Sequence, residues 1–522
     1  STNMDFFRYL IDVSFLILIL KFRLFELPLY VVSAYYLFLF IFNFYHNTFL
    51  TIYQVYPSLY NDRSLIKTGL AILWRESKLK TVFSFLVGIA VLYMIYYGFS
   101  KFLVYTIQFK ATIFDIVTGS LFVLISIYVI NRFYVRLGNK ILYSEKRMRF
   151  VIGFARVIYN IKLSKQLFRK EQIFKKFKRN KLRSCSNFDL KKHPNLFFLF
   201  IESYGSILLN HPKMRDRYKE MYNVNESSLK NLGWHMVSNL SEAPSTSAFS
   251  WLCYSSFFHG YRISQHAHYE RFLRNPLFYN SDNLMRILKN QGYTTYFLNP
   301  IQPNPRIKID YTYLTPFYSI DQWILYDDLN YTGNRYGFGD FPPDQFSINQ
   351  GREIVDKNPG PFAFMFLTKN SHSPFSFPLK LEEDWRSLNK SSGRSDYGGG
   401  FLSQPTISDY LSAIQYQLDL ISDFIKNTGN SDEIYIEIGD HQPPVLNESN
   451  KYGLNTPVHI ITKNESFLKG FEDYGFRDSP FDNNLKTVRH EAMYSIILRE
   501  LMKNFGTGYD KLPEYEPKGL QI

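Results

Sequence analysis

The sequence predicts an α/β domain with a mostly parallel central sheet, preceded by an N-terminal transmembrane helical domain. Long apolar runs fill the first 135 residues, and two of them, residues 27–45 and 81–100, contain no charged side chain. After residue 190, short apolar segments typical of buried strands alternate with amphipathic helical patterns, as they do in α/β domains. The chain has 522 residues, of which 18% are aromatic, and this excludes a wholly disordered chain.

The N-terminal domain, residues 1–135, contains four candidate membrane spans. A helix needs about 20 apolar residues to cross the hydrocarbon core of a bilayer. A fifth span has room among residues 47–75. Four spans would leave both chain termini on one side of the membrane and five would leave them on opposite sides, so the topology stays open. The four candidate spans are residues 6–20, 27–45, 81–100 and 111–131.

A basic connector, residues 136–190, follows the membrane domain. Residues 136–183 contain 16 lysines and arginines against two acidic residues, which equals the whole +14 charge of the chain. Apolar residues at helical spacing among these charges predict an amphipathic helix on an anionic membrane surface, with a solvated linker helix as the equal alternative. The positive-inside rule favours the cytoplasmic side for such a segment. No nucleic-acid-binding motif accompanies the charge, so no nucleic-acid partner is expected.

The third predicted domain, residues 191–522, carries the alternating pattern. A long loop is expected over residues 390–404. We predict strands over residues 196–201, 293–299, 362–368, 433–438 and 458–461, and helices over residues 281–291, 407–425 and 485–503.

Polar residues suited to metal binding follow three of these strands. Glu202 follows the first strand, His372 follows the strand at 362–368, and Asp440 and His441 follow the strand at 433–438. In open α/β sheets, ligands bind beyond the carboxyl ends of the strands. Carboxylates with an imidazole suit zinc or manganese, and magnesium also fits. The sequence therefore predicts a divalent metal site at this edge of the sheet.

A hydroxyl-rich run, STSAFS at residues 245–250, is a second candidate for chemistry. A serine or threonine hydroxyl becomes a nucleophile when a base or a metal lowers its pKa. The same letters are also an ordinary helix-capping sequence. Taken alone, the run favours the helix cap.

Taken together, these elements resemble the membrane-anchored phosphotransferases of the alkaline phosphatase/sulfatase superfamily. The matching families are the lipoteichoic acid synthases and the lipid A phosphoethanolamine transferases. Glu202 matches the family's glutamate after the first strand, LTKNSHSPF contains His372, and GDHQPP contains the Asp440-His441 pair. The resemblance implies a sulfatase-like catalytic domain on the outer side of the bacterial inner (cytoplasmic) membrane.

The same resemblance implies roles for individual residues. His372 would contact the transferred phosphate, and Arg306 is loosely similar to a substrate-binding arginine. The nucleophile would be Ser247, since Ser247-Ala248-Phe249-Ser250 with Cys253 fits the phosphoethanolamine-transferase pattern. The lipoteichoic-type pattern would instead choose Thr246. The implied metal ligands are Glu202, Ser247, Asp440 and His441.

The implied reaction is a metal-dependent transfer through a covalent phospho-enzyme. A membrane phospholipid would donate phosphoethanolamine or phosphoglycerol, and an envelope glycan or lipid would accept it. Two alternatives stay open: a catalytically silent lipid-binding regulator and a phosphodiesterase or other hydrolase. Sulfatase activity is not expected, because Cys253 lies in CYSSF without the Pro and Arg of the sulfatase motif.

Overall fold

The computed structural model of the chain divides into two compact units, Ser1–Gln172 and Ile173–Ile522. Each unit is described by itself. The described residues are 28–53, 56–76, 78–108, 117, 121, 153–175, 189–302, 309–336, 341–375, 380–390, 405–444, 446, 451–507 and 512–520.

The described part of the first unit is helical. Two stretches are long and apolar enough to cross a membrane, Leu29–Phe49 within α1 and Thr81–Tyr105 within α3. They coincide with the two uncharged runs of the sequence. The candidate spans at residues 6–20 and, apart from two residues, 111–131 lie outside the described residues. The helices described in this part of the chain are α1 (Leu29–Tyr53), α2 (Leu59–Glu76), α3 (Lys78–Gln108) and α4 (Gly153–Lys175).

The second unit contains a mixed sheet of eight strands, which confirms the predicted α/β class. Along the sheet the strands run in the order β4-β3-β5-β1-β6-β7-β2-β8. The five strands from β4 to β6 are parallel, and β7 is antiparallel to both of its neighbours. The strands are β1 (Asn195–Ile201), β2 (His235–Glu242), β3 (Thr294–Asn299), β4 (Gln322–Leu325), β5 (Phe362–Leu367), β6 (Glu433–Gly439), β7 (Asn455–Thr462) and β8 (Val488–Arg489).

Helices accompany the strands of this sheet. The longest, α13, begins with a capping box in which Thr406 and Asp409 each bind the other's backbone N–H, and its apolar residues belong to the core of the unit. The helices are α5 (Ile207–Asn210), α6 (Arg215–Lys230), α7 (Ser250–His259), α8 (His266–Leu273), α9 (Pro276–Tyr279), α10 (Leu284–Asn290), α11 (Tyr311–Tyr318), α12 (Asp344–Val355), α13 (Ile407–Thr428), α14 (Glu465–Lys469) and α15 (His490–Phe505).

The central strands form the core. Every residue of β5 and β6 is buried, as is all of β1 after its first residue. This burial on both faces explains why their sequences are nearly continuous apolar runs. The ring of Phe197 on β1 stacks on Tyr435 of β6, with centroids 4.6 Å apart.

Two predicted helices begin later than expected. The helix predicted over residues 485–503 starts at His490, because Val488 and Arg489 pair with β2 as the short strand β8. The helix predicted over residues 281–291 starts at Leu284, where the side chain of Asn283 caps it. Strand β2 was not predicted, since its sequence HMVSNLSE has no apolar run.

Candidate metal centre

Two carboxylate side chains and one imidazole lie close together where β1 and β6 end. These strands are parallel neighbours, and Ile201 pairs with Gly439 at their last register position. Glu202 therefore leaves β1 beside the point where Asp440 and His441 leave β6. One ligand atom from each of the three residues lies within 4.8 Å of the others. The predicted trio is thus brought together, and all three side chains are buried.

The imidazole of His441 faces both carboxylates. Its Nε2 lies 3.3 Å from Asp440 Oδ2 and 3.6 Å from Glu202 Oε1. Its Nδ1 lies 2.9 Å from the carbonyl oxygen of Gln442, an acceptor only. The proton on Nδ1 therefore binds that carbonyl, and Nε2 faces the two carboxylates, where loss of its proton would give a lone pair for a cation. This is the usual arrangement of a metal-binding histidine.

One buried carboxylate oxygen is left over for a cation. Asp440 Oδ1 accepts hydrogen bonds from the backbone N–H of Ser203 at 2.8 Å and of His441 at 2.6 Å. Asp440 Oδ2 is buried and has no hydrogen-bond partner among the described residues. Since an unpartnered buried carboxylate oxygen is costly, a divalent cation between Oδ2, Glu202 and His441 fits this donor set.

The charges of the trio are interdependent. Burial raises the pKa of Asp440, and Glu202 raises it further, to about 7. Burial also raises the pKa of Glu202, but the positive charges of His441, His372 and Lys369 outweigh it and leave that pKa below its usual value. Burial lowers the pKa of His441, whereas the two carboxylates raise it above its usual value. The site therefore favours added positive charge.

The backbone around the trio is tightly constrained. Ser203 has a positive φ of 60°, which is uncommon for a residue other than glycine. Its hydroxyl donates to Glu202 Oε1 at 2.9 Å while its N–H holds Asp440. A side chain at Gly439 would collide with the carbonyl oxygen of Tyr204. Glycine at 439 thus lets the two strand ends approach closely enough to share a site.

The hydroxyl-rich loop lies against this turn. The backbone N–H of Gln442 donates to the carbonyl of Thr246 at 2.9 Å. Ser250 Oγ lies 3.2 Å from Glu202 Oε2 and 3.4 Å from His441 Nε2. No catalytic role is predicted for Ser250 from the sequence, although it belongs to the same motif. Ser247 is buried in this loop, three residues before Ser250.

The N-cap position of helix α7 is not occupied by a hydroxyl residue of the run. The residue before the helix is Phe249, which has a φ of 68° and makes no side-chain capping bond. The hydroxyl of Thr246 is buried without a hydrogen-bond partner among the described residues. The N-cap of α7 is therefore Phe249, and not a serine or threonine of the run. Positive φ values occur at Ser203, directly after Glu202, and at Phe249, directly before Ser250, and such strained residues often lie at functional sites.

The remaining predicted residues stand apart from the trio. His372 is exposed, and its Nδ1 lies 2.7 Å from the carbonyl of Ser373. Its charge acts on Glu202, so it faces the same region. Arg306 lies outside the described residues. Lys369, which the sequence did not single out, acts on Glu202 in the same way; it stands in the quoted segment LTKNSHSPF, so its position after a buried strand could have flagged it.

Comparison with known families gives one match. A family profile described as Sulfatase matches residues 195–481. That range contains the metal-binding trio, the hydroxyl-rich loop and His372. Comparison with curated protein sequences gives no match.

Several solved structures are similar to large parts of the chain at low sequence identity. The integral membrane lipooligosaccharide phosphoethanolamine transferase A from Neisseria meningitidis is 14% identical, covering 92% of this chain and 85% of that chain, with a TM-score of 0.48. The lipoteichoic acid synthase LtaP from Listeria monocytogenes is 13% identical, covering 63% and 77%, with a TM-score of 0.40. The phosphoglycerol transferase GacH from Streptococcus pyogenes is 15% identical, covering 65% and 85%, with a TM-score of 0.36.

Proposed function

The chain belongs to the sulfatase family, and from that premise we propose that it is a metal-dependent phosphotransferase of the cell envelope. It transfers phosphoethanolamine or phosphoglycerol from a membrane phospholipid to a glycan or lipid acceptor. The choice of transfer rests on the sequence motifs that resemble lipoteichoic acid synthases and phosphoethanolamine transferases. The absence of the sulfatase cysteine motif around Cys253 favours phosphoryl over sulfuryl chemistry.

The observation that carries this proposal is the buried trio Glu202, Asp440 and His441, with the hydroxyl of Ser250 3.2 Å from Glu202 Oε2. Glu202, Asp440 and His441 would hold one divalent ion, which we propose to be zinc, with manganese or magnesium as alternatives. When bound, such an ion lowers the pKa of a nearby hydroxyl and stabilises the charge that develops on a phosphoryl group.

We propose Ser247 as the nucleophile, on the strength of the sequence pattern. Its oxygen would form a bond to phosphorus while the bond from phosphorus to the diacylglycerol oxygen breaks. The proton lost by the serine ends on the departing diacylglycerol. In the second half-reaction the oxygen of an acceptor hydroxyl bonds to the same phosphorus while the bond from phosphorus to the Ser247 oxygen breaks, and the acceptor's proton ends on Ser247. Ser250, whose hydroxyl contacts Glu202 and His441, is the rival nucleophile.

His372 is proposed to contact the transferred phosphate, because it is exposed and its charge acts on Glu202. Arg306 is proposed for the same task on sequence resemblance alone. The lipid donor agrees with the two helices that are apolar enough to cross a membrane. We propose that the catalytic unit lies outside the inner membrane, and that the basic connector contacts anionic lipid.

A catalytically silent lipid-binding regulator is the main alternative. Proteins that keep a fold but lose its chemistry lose metal ligands first, whereas this chain keeps all three. A phosphodiesterase differs only in using water as the acceptor. Product analysis separates the two: transfer gives a modified glycan or lipid, and hydrolysis gives a free phospho-head group.

The test compares Asp440→Asn with Glu437→Gln in the full-length chain in detergent. Asp440→Asn should lose bound metal and lower the release of diacylglycerol from phospholipid by at least about 10³-fold, since it removes charge at the metal site. Metal content is measured by mass spectrometry of the purified protein.

Glu437→Gln is the matched control. Glu437 is a buried acid on β6, three residues before Asp440, and burial raises its pKa to about 8. It is therefore uncharged at neutral pH, and glutamine should replace it with no loss of metal. A parent chain that carries no stoichiometric metal would favour the silent regulator.

A further inference from the structure

Lys369 follows β5 and is tied to the metal centre through its neighbours. The residue before it, Thr368, accepts the backbone N–H of Glu202 at 3.0 Å through its hydroxyl. Two residues after it, Ser371 donates its hydroxyl to the carbonyl of Glu202 at 2.7 Å. Lys369 thus lies in a short loop fastened on both sides to the backbone of a metal ligand.

The backbone of Lys369 is fixed independently by Asp344. Both carboxylate oxygens of Asp344 accept the N–H of Lys369, at 2.8 and 2.9 Å, and one also accepts the N–H of Asn370 at 2.7 Å. The amide of Gln417 donates to the same carboxylate at 2.7 Å. This buried clamp holds the start of the lysine side chain in one place.

The ammonium group sits in the field of the carboxylates without being paired to one. Its Nζ lies over the ring of Phe341, 5.8 Å from the centroid. Burial lowers the pKa of Lys369, while the charges of Glu202, Asp344 and Asp440 raise it. Among the described residues, none forms a salt bridge with this ammonium.

The charge balance of the loaded site indicates what the ammonium is for. Two carboxylates and a divalent ion sum to zero, and a phosphodiester then brings one negative charge beside the buried side chains of Glu202, Asp440 and His441. A buried charge needs a partner of opposite sign, and the ammonium of Lys369 supplies it. A direct salt bridge to Glu202 or Asp440 would have neutralised the ammonium charge.

We propose that Lys369 binds the phosphoryl oxygens of the substrate, as a substrate-binding residue beside the metal centre. The ligand class is a phosphate monoester or diester, including inorganic phosphate. This inference rests on the proposed function for its substrate, but phosphate binding itself can be measured without turnover.

The test measures binding of inorganic phosphate to the full-length, zinc-loaded chain in detergent by titration calorimetry. Lys369→Met should weaken phosphate binding by on the order of 10- to 100-fold, the usual loss for one charge-assisted hydrogen bond. Zinc content should stay at the parent level. Lys369→Arg should restore much of the affinity, and Lys369→Gln serves if the methionine variant does not fold.

Lys463→Met is the matched control. Lys463 also lies over an aromatic ring, with its Nζ 5.1 Å from the centroid of Trp234, but it is exposed and follows β7. Its substitution should leave phosphate affinity unchanged. Equal phosphate affinity in Lys369→Met and the parent, or no phosphate binding by the parent, overturns the inference, as does a variant that loses zinc.

Diacylglycerol release distinguishes this failure from a failure of the proposed function. If the parent turns over phospholipid while Lys369→Met retains its phosphate affinity, only the inference fails. If phosphate binding depends on Lys369 but no phospholipid is turned over, the inference stands and the proposed function fails.

Discussion

At the scale of the residue, the polar atoms of Asp440 and His441 in the candidate metal centre have different partners. Asp440 Oδ1 is occupied by two backbone N–H groups, and Oδ2 is left for a cation. The Nδ1–H of His441 donates to the carbonyl of Gln442, and its Nε2 faces Asp440 Oδ2. An amide at position 440 could still accept the two backbone bonds, but it could not supply the negative charge. The trio is therefore sensitive to charge rather than to shape.

A buried histidine away from the site gives a prediction on pH and stability. His459 on β7 is buried, with Nδ1 2.7 Å from the hydroxyl of Ser238 and Nε2 3.1 Å from that of Tyr204. Burial lowers its pKa to about 3. Because the unfolded chain takes up this proton first, His459 lowers the free energy of unfolding as the pH falls from about 6.5 towards 3, by up to about 1.4 kcal/mol per pH unit.

The substitution His459→Gln should make the loss of stability in acid shallower. The variant cannot be protonated, although it is expected to be less stable than the parent at pH 7.5 because the buried hydrogen bonds are altered. Thermal unfolding of both full-length chains in detergent, between pH 4.5 and 7.5, measures the two slopes. Parallel curves for parent and variant would show that His459 is not the group responsible.

Residues differ in how far the sequence could predict them. Glu202, Asp440 and His441 could be found because each directly follows a recognisable buried strand, and parallel strand ends converge. Ser250 could not be singled out, since its importance depends on contacts across the fold, whereas Lys369 was overlooked although it follows a buried strand. Ser250 becomes visible through its distances to Glu202 and His441.

At the scale of the element, the pattern of burial decides which strands can be predicted from the sequence. Strands β1 and β5 consist almost entirely of apolar residues because their residues are buried on both faces, and β6 buries Glu433 and Glu437 among its apolar residues. Strand β2 instead buries the polar side chains of Ser238, Asn239 and Ser241. Because such residues are typical of loops, the sequence does not predict this strand. Strand β8 has only two residues and is recognised as a strand because it pairs with β2.

The membrane helices carry a prediction on sidedness. If the catalytic unit lies outside the inner membrane, a cysteine on its exposed surface should react with a membrane-impermeant maleimide in intact bacterial cells. Ser227 on α6 is exposed and suits the change Ser227→Cys, in a chain that also carries Cys185→Ser. The parent with Cys185→Ser alone keeps only the buried Cys253 and should stay unlabelled. Labelling of Ser227→Cys only after permeabilisation would place the unit in the cytoplasm.

At the scale of the whole molecule, the net positive charge is confined to one segment, which separates long-range attraction to an anionic surface from local attraction to a phosphate. The net charge of +14 resides in residues 136–183, and the rest of the chain is formally neutral. Long-range attraction to an anionic surface therefore belongs to the connector. The catalytic unit has no general excess of positive charge with which to hold a phosphate, so the attraction must come from local groups such as a bound cation, Lys369 and His372.

The most direct test of the central claim is to trap the covalent enzyme. The full-length chain is incubated with a mixture of phosphatidylethanolamine and phosphatidylglycerol without an acceptor, quenched in acid and digested. Mass spectrometry of the peptide that contains residues 245–250 then reports any added group. We predict phosphoethanolamine or phosphoglycerol on Ser247, absent from Ser247→Ala and still formed, more slowly, by Ser250→Ala. An adduct that persists in Ser247→Ala and disappears in Ser250→Ala would contradict the assignment of the nucleophile, and turnover without any adduct would contradict the covalent mechanism itself.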